Sequence, residues 1–142
     1  TGKIINGLGT LYFEQENYGK AESLYRRALA IKVKSLGPNH PSVATTVNNL
    51  GQVFFLQHQY AEAEPLFRRA LEIREARLGK EHPDVATTLN DYASLLRSTN
   101  RKSEARGMSV RASRILAKNR AVKLANQSVQ VKTLLNASQK SR

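Results

Sequence analysis

His40 and His82 are the first residues in this chain whose chemistry invites a catalytic or metal-binding reading. Each stands directly before a proline, and the two are 42 residues apart. Their repetition points to a turn or helix-capping role instead. His58 lies in the polar stretch Gln57-His58-Gln59, with no acidic or cysteine partner at ligand spacing. No His-Glu-x-x-His helix, phosphate-cradling glycine loop or Gly-x-Ser-x-Gly elbow occurs. Glu14, Glu16, Glu22, Glu62 and Glu64 read as helix-surface acids near turns. The chain is therefore expected not to be an enzyme and to need neither cofactor nor metal.

A different set of polar residues fits recognition. Asn6, Asn48 and Asn90 recur at a spacing of 42. At helical spacing each shares a stripe with neighbours: Lys3, Thr10 and Phe13; Thr45, Gln52 and Phe55; Thr87, Ser94 and Arg97. An apolar stripe of Val47, Leu50 and Phe54 runs along another face, so the Asn stripe is not needed for packing. An amide both donates and accepts, and can pair with the backbone of an extended peptide. The alternative is that these amides bond within the repeat array itself.

The elements that must carry this stripe follow from the repeat. Leu8-Gly9 returns as Leu50-Gly51, Leu24-Tyr25-Arg26-Arg27-Ala28-Leu29 as Leu66-Phe67-Arg68-Arg69-Ala70-Leu71, and Leu36-Gly37 with His40-Pro41 as Leu78-Gly79 with His82-Pro83. Between residues 8–51 and 50–93, 22 of 44 positions are identical, far beyond coincidence. A third copy fades: Ser109 replaces the aromatic and Ser113 the leucine. A fourth is fainter, with Val131 and Leu134 in register but no glycine or His-Pro linker, so the third second helix has no stop signal and is expected to run on toward residue 137.

Each unit reads as two helices. Val43, Val47, Leu50 and Phe54 trace one apolar face, and Ala63, Leu66, Phe67, Ala70 and Ile73 a second. Gly79 suits a left-handed helix stop, and Pro83-Asp84 a helix start. Gly9 and Gly51 inside first helices, beside small Ala63 and Ala70, predict close helix-helix contact. Glu22 and Glu64, four residues before Arg26 and Arg68, predict local ion pairs on the outer side.

The order Leu-Gly, aromatic, then Tyr…Ala…Phe/Tyr…Ala resembles the tetratricopeptide repeat, whose usual unit is about 34 residues. The 42-residue form, with Arg-Arg-Ala-Leu, Leu-Gly-x-x-His-Pro and Val-Ala-Thr-Thr-x-Asn, is similar to the kinesin light chain type. The resemblance covers about residues 4–117. It implies an all-α, right-handed α-solenoid of antiparallel helix pairs with an extra C-terminal helix. The pairs are expected at about 1–36, 42–78 and 84–117, followed by a basic segment, 118–142, that caps the array or is partly disordered. The resemblance also implies that first helices line a concave surface, where the Asn stripes contact a peptide. Lys3 and Arg97, with Lys32, add positive charge at the groove ends and favour an acidic peptide.

Charge and composition bound the rest. The chain carries 23 Lys and Arg against 11 Asp and Glu, a formal net charge of +12. Residues 1–99 account for +2 of it and residues 100–142 for +10, so any anion-binding role belongs to the tail. With no Cys, disulfide scaffolds and thiolate zinc modules are excluded. The longest apolar run, Val53-Phe54-Phe55-Leu56, is far too short to span a bilayer. Met108, Ala112, Ile115, Asn119, Val122 and Val129 trace a seam along the tail, whose expected role is capping or self-association. No aromatic side chain follows Tyr92, so nucleic acid is disfavoured. The leading expectation is a peptide- or protein-binding adaptor located in the cytoplasm. The alternatives are a basic tail for nucleic acid or another anionic partner, and a regulatory repeat domain of a larger enzyme or receptor. The chain opens on Thr1 with a helical pattern at once, as a piece of a longer protein would.

Overall fold

The computed structural model describes residues 1–140, so Ser141 and Arg142, the last two residues of the expected tail, lie outside the described residues. Six helices follow one another: α1 Gly2–Glu14, α2 Tyr18–Leu36, α3 Pro41–Leu56, α4 Tyr60–Leu78, α5 Pro83–Ser98 and α6 Lys102–Lys140. Each helix packs on the next. The first helices α1, α3 and α5 also meet in turn, whereas among the described residues the backbones of α2, α4 and α6 stay apart. First helices thus form the inner row of the stack and second helices the outer row.

Local chemistry sets the stops and starts. His40 and His82 are N-caps, each imidazole Nδ1 accepting a backbone N–H two residues on at 3.0 Å, from Ser42 and Asp84. Gly37 and Gly79 end α2 and α4 at φ 89° and 90° with ψ 160° and 152°. This is an extended positive-φ conformation rather than the left-handed helical one, and it is open in practice to glycine alone. Within each pair the turn passes through one non-glycine residue in the left-handed region: Glu16, His58 or Asn100. These three again stand 42 apart, so one turn is used three times.

Glycine permits the packing inside each pair. A Cβ on Gly9 would come within 2.8 Å of the Tyr25 ring, and one on Gly51 within 2.8 Å of the Phe67 ring. The close approach is to the buried aromatic of the second helix rather than to Ala63 or Ala70. In the third pair both halves of the contact change together. Ala93 takes the glycine position and Ser109 the aromatic one, so a methyl fits where a ring no longer needs room.

The ion pairs Glu22–Arg26 (2.9 Å) and Glu64–Arg68 (3.5 Å) form as the spacing predicts. Glu64 does more, accepting from Tyr92 Oη at 2.8 Å and from the Arg101 guanidinium at 2.7 Å. It thereby ties α4 to the middle of α5 and to the turn between α5 and α6.

α6 is one continuous helix of 39 residues, so the third pair's second helix runs on into the C-terminal helix as the missing stop signal predicts. At the positions of Gly79, His82 and Pro83 the third copy has Ala121, Leu124 and Ala125, so no stop exists. Near its middle it is tied to the body by Lys118, to the Glu81 carboxylate at 3.8 Å, and by Asn119 Nδ2, to the Glu81 carbonyl at 2.9 Å. Every residue from 120 to 140 is exposed, including Val122, Leu124, Val129 and Val131.

Two outcomes are expected. Gly51→Ala should lower stability by about 1–3 kcal/mol through overpacking against Phe67, partly offset by about 1 kcal/mol of helix propensity; urea denaturation reads the net. Amide hydrogen exchange should protect 43–77 more than 102–117, because α6 buries only Ala105, Ala112 and Ile115 while α4 buries Ala63, Phe67, Ala70, Ile73 and Arg74.

Candidate functional site

Of the three asparagines, the middle one is spent inside the array. Asn48 is 3% exposed. Its Oδ1 accepts from the Thr88 hydroxyl at 3.0 Å, and its Nδ2 donates to Asp91 Oδ2 at 2.8 Å. Thr88 in turn accepts from the Arg74 guanidinium at 2.7 Å, and the same nitrogen donates to the Asp84 carbonyl at 3.0 Å. One repeat earlier the arrangement is the same with lysine as the cation. Lys32 Nζ donates to Thr46 Oγ1 at 2.9 Å and to the Ser42 carbonyl at 3.2 Å, and Thr46 donates to Asn6 Oδ1 at 2.8 Å. A cation from the second helix, a threonine from the next first helix and an asparagine from the preceding first helix form a three-part clip.

Lys32 and Arg74 are each only 5% exposed. Lys32 is therefore a part of the joint beneath the stripe and not a groove-end charge, which corrects the charge pattern expected from sequence. Desolvation, helped by Lys3, lowers the Lys32 ammonium below its usual pKa. Desolvation lowers Arg74 as well, against the opposing pull of Asp84 and Asp91. The third clip is absent: Leu116 and Gln130 stand where the cation and threonine would be. Asn90 is exposed, and its side chain has no partner among the described residues.

The other stripe residues divide by exposure. Lys3, Thr87 and Arg97 are exposed; Thr10, Phe13, Thr45, Gln52, Phe55 and Ser94 are half-buried. Thr10 accepts from Tyr25 Oη at 3.1 Å, and Thr45 from Arg74 at 3.4 Å. Arg97 donates to Ser94 and Ser109, both at 3.2 Å. Phe13, Gln52, Phe55 and Ser94 come together with Leu56, Phe67 and Asp91 around one cleft of about 150 Å³ on the inner row. Phe13 stacks edge-on against Tyr18, and Phe55 lies against Tyr60, so both rings are held in place.

Asp91 is the residue sequence reasoning missed. Its equivalents are Gly7 and Asn49, so the repeat carries no acid there to follow. The available signal was its place beside Asn90, as the one acid of α5 beyond the opening turn. Its Oδ2 accepts from both Asn48 and Gln52, at 2.8 and 3.0 Å. Burial pushes its carboxyl above the usual range, outweighing those two hydrogen bonds and the attraction of Arg74. Among the described residues no group of His, Cys, Asp and Glu is placed to hold a metal, and no helix is long and apolar enough to cross a membrane.

Asn48→Ala should cost about 1–3 kcal/mol, because it strands the buried Thr88 hydroxyl and part of Asp91. Asn90→Ala should stay within about 0.5 kcal/mol. Urea midpoints separate the two. Stability should also fall as pH rises from the ordinary carboxylate range toward the raised Asp91 value. In that window the folded chain holds a proton that the unfolded chain has released. Asp91→Asn should remove this slope, since its amide oxygen still accepts from Asn48 and Gln52.

Comparison with known proteins agrees with the architecture. The tetratricopeptide repeat family profile matches residues 1–76 and 43–118. Among solved structures, BtubC (BKLC) from P. vanneervenii is 29% identical with a TM-score of 0.75, over 80% of this chain and 45% of that one. A putative kinesin light chain with nearly identical TPR-like repeats from Podosopora anserina is 23% identical with a TM-score of 0.74, over 82% and 56%. The N-terminal domain of stress-induced protein-1 from C. elegans is 20% identical with a TM-score of 0.63, over 89% and 92%. The chain spans about half the length of the first two. No curated protein matches it. With its helix pairs stacked in order and the family profile covering most of its length, the chain belongs to the tetratricopeptide repeat family.

Proposed function

We propose that this chain is a protein-protein interaction module that holds an extended peptide segment along the inner row of first helices. The observation that carries the reading is the cleft among α1, α3 and α5, where residues from three successive units converge on one space. An extended strand crossing stacked helices meets the same stripe in each unit, and ring walls with amide and hydroxyl edges suit a chain of alternating apolar and polar groups. Within this reading Phe13, Gln52, Phe55 and Ser94 form the central contact, with Thr10, Thr45, Thr87, Asn90, Lys3 and Arg97 along the track. Asn6 and Asn48 serve the track by fixing the spacing of the helices that carry it.

The basic extension supports a second, separable role. Residues 118–140 hold five Lys and Arg and no acid, on a helix that leaves the body after Asn119. Such a segment fits an anionic partner, and its contribution would fall steeply with added salt. Self-association through the same exposed helix is testable by sedimentation of the chain against a form ending at Lys118.

The groove is tested by filling it. Ser94→Phe places a ring in the cleft from its half-buried rim. Peptides selected on the immobilised chain from a random library should lose at least about tenfold in affinity for this variant, or about 1.4 kcal/mol, with the melting temperature unchanged. Undiminished binding would place the ligand elsewhere.

A further inference from the structure

We infer that the cleft between α1, α3 and α5 is a subsite for a single lysine or arginine side chain of the bound peptide, its cation meeting Asp91. This rests on the groove reading above and names the chemistry that the groove selects. Asp91 has two carboxylate oxygens, and they are used unequally. Oδ2 takes both amide hydrogen bonds, from Asn48 and Gln52. Oδ1 has no partner among the described residues, and it is not one of the orphaned atoms sealed from solvent. It therefore keeps some access to solvent, and Asp91 is one of the residues that line the cleft.

The walls suit a cation on an apolar stem. Phe13 and Phe55 line the cleft with aromatic surface, which suits methylenes and a positive head group. A cleft of about 150 Å³ has room for several waters, and so for the five heavy atoms of a lysine side chain. An aliphatic side chain of that size would strip water from Oδ1 and return no hydrogen bond. An acidic one would face a carboxylate in a desolvated cleft.

The nearby cations do not already satisfy Asp91. Arg74 lies beyond Asn48, and its hydrogen bonds go to Thr45, Thr88 and the Asp84 carbonyl rather than to a carboxylate. Arg97 is turned to Ser94 and Ser109 at the rim. The raised Asp91 carboxyl agrees, because burial there outweighs every favourable partner now present.

The test uses capped, extended heptapeptides that differ only at the central residue: Lys, Arg, norleucine or Glu. Binding is read by NMR from the side-chain amide signals of Gln52 and Asn48, which flank the cleft. The Lys and Arg peptides should bind at least about tenfold tighter than the norleucine peptide, and the Glu peptide weakest. In Asp91→Asn the Lys and norleucine peptides should converge, with norleucine affinity unchanged. The comparison on the unaltered chain stands even if that variant folds poorly. Equal binding of Lys and norleucine, or a preference for Glu, would overturn the cation subsite and leave the groove reading intact. Failure of all four to move the cleft amides at millimolar concentration would overturn both.

Discussion

A buried cation must find oxygen, and the stacking of this array turns on where Lys32 and Arg74 find it. Each is carried by a second helix and removed from water, which costs several kcal/mol unless hydrogen bonds replace the lost hydration. The replacements are a threonine hydroxyl and a carbonyl on the next first helix. Apolar packing alone would allow adjacent pairs to slide past one another. The cation allows one register, because a shift of a single residue would leave it without partners. The asparagine of the preceding first helix then closes the clip, fixing how far apart two inner helices lie. The cleft exists at that spacing.

The periodicity made the helix pairs, their linkers and the family resemblance legible before any coordinates. Tyr25 and Phe67 repeat with Gly9 and Gly51 because a ring and its missing Cβ are one contact. The third pair makes the same point in reverse, since Ala93 and Ser109 relax together. The fate of α6 was legible in the same way. Without the glycine and His-Pro stop a helix has no reason to end, and the sixth runs on to Lys140.

The site was legible in outline only. Helical spacing placed Phe13, Gln52, Phe55 and Ser94 on one stripe, and they do share a cleft. Spacing could not say which amides are free. Asn48 and Asn90 are equivalent in sequence, yet one has a repeat stacked upon it and the other does not. Lys32 likewise counts as a surface charge until its neighbour across the joint is known. Asp91 escaped notice because its environment is built by Asn48 and Gln52 from another helix, and no repeat at that position announces it.

The use of lysine in one clip and arginine in the next has a chemical consequence. Arginine is inert to acylating reagents, whereas the Lys32 amine is a nucleophile whose lowered pKa leaves more of it unprotonated. Burial alone keeps reagents away from it. Parting of the first pair from the second exposes that amine, while the other lysines of the body remain open to solvent throughout. Lys32 is thus an internal clock for the breathing of one joint, and its acylation rate counts how often the array opens there.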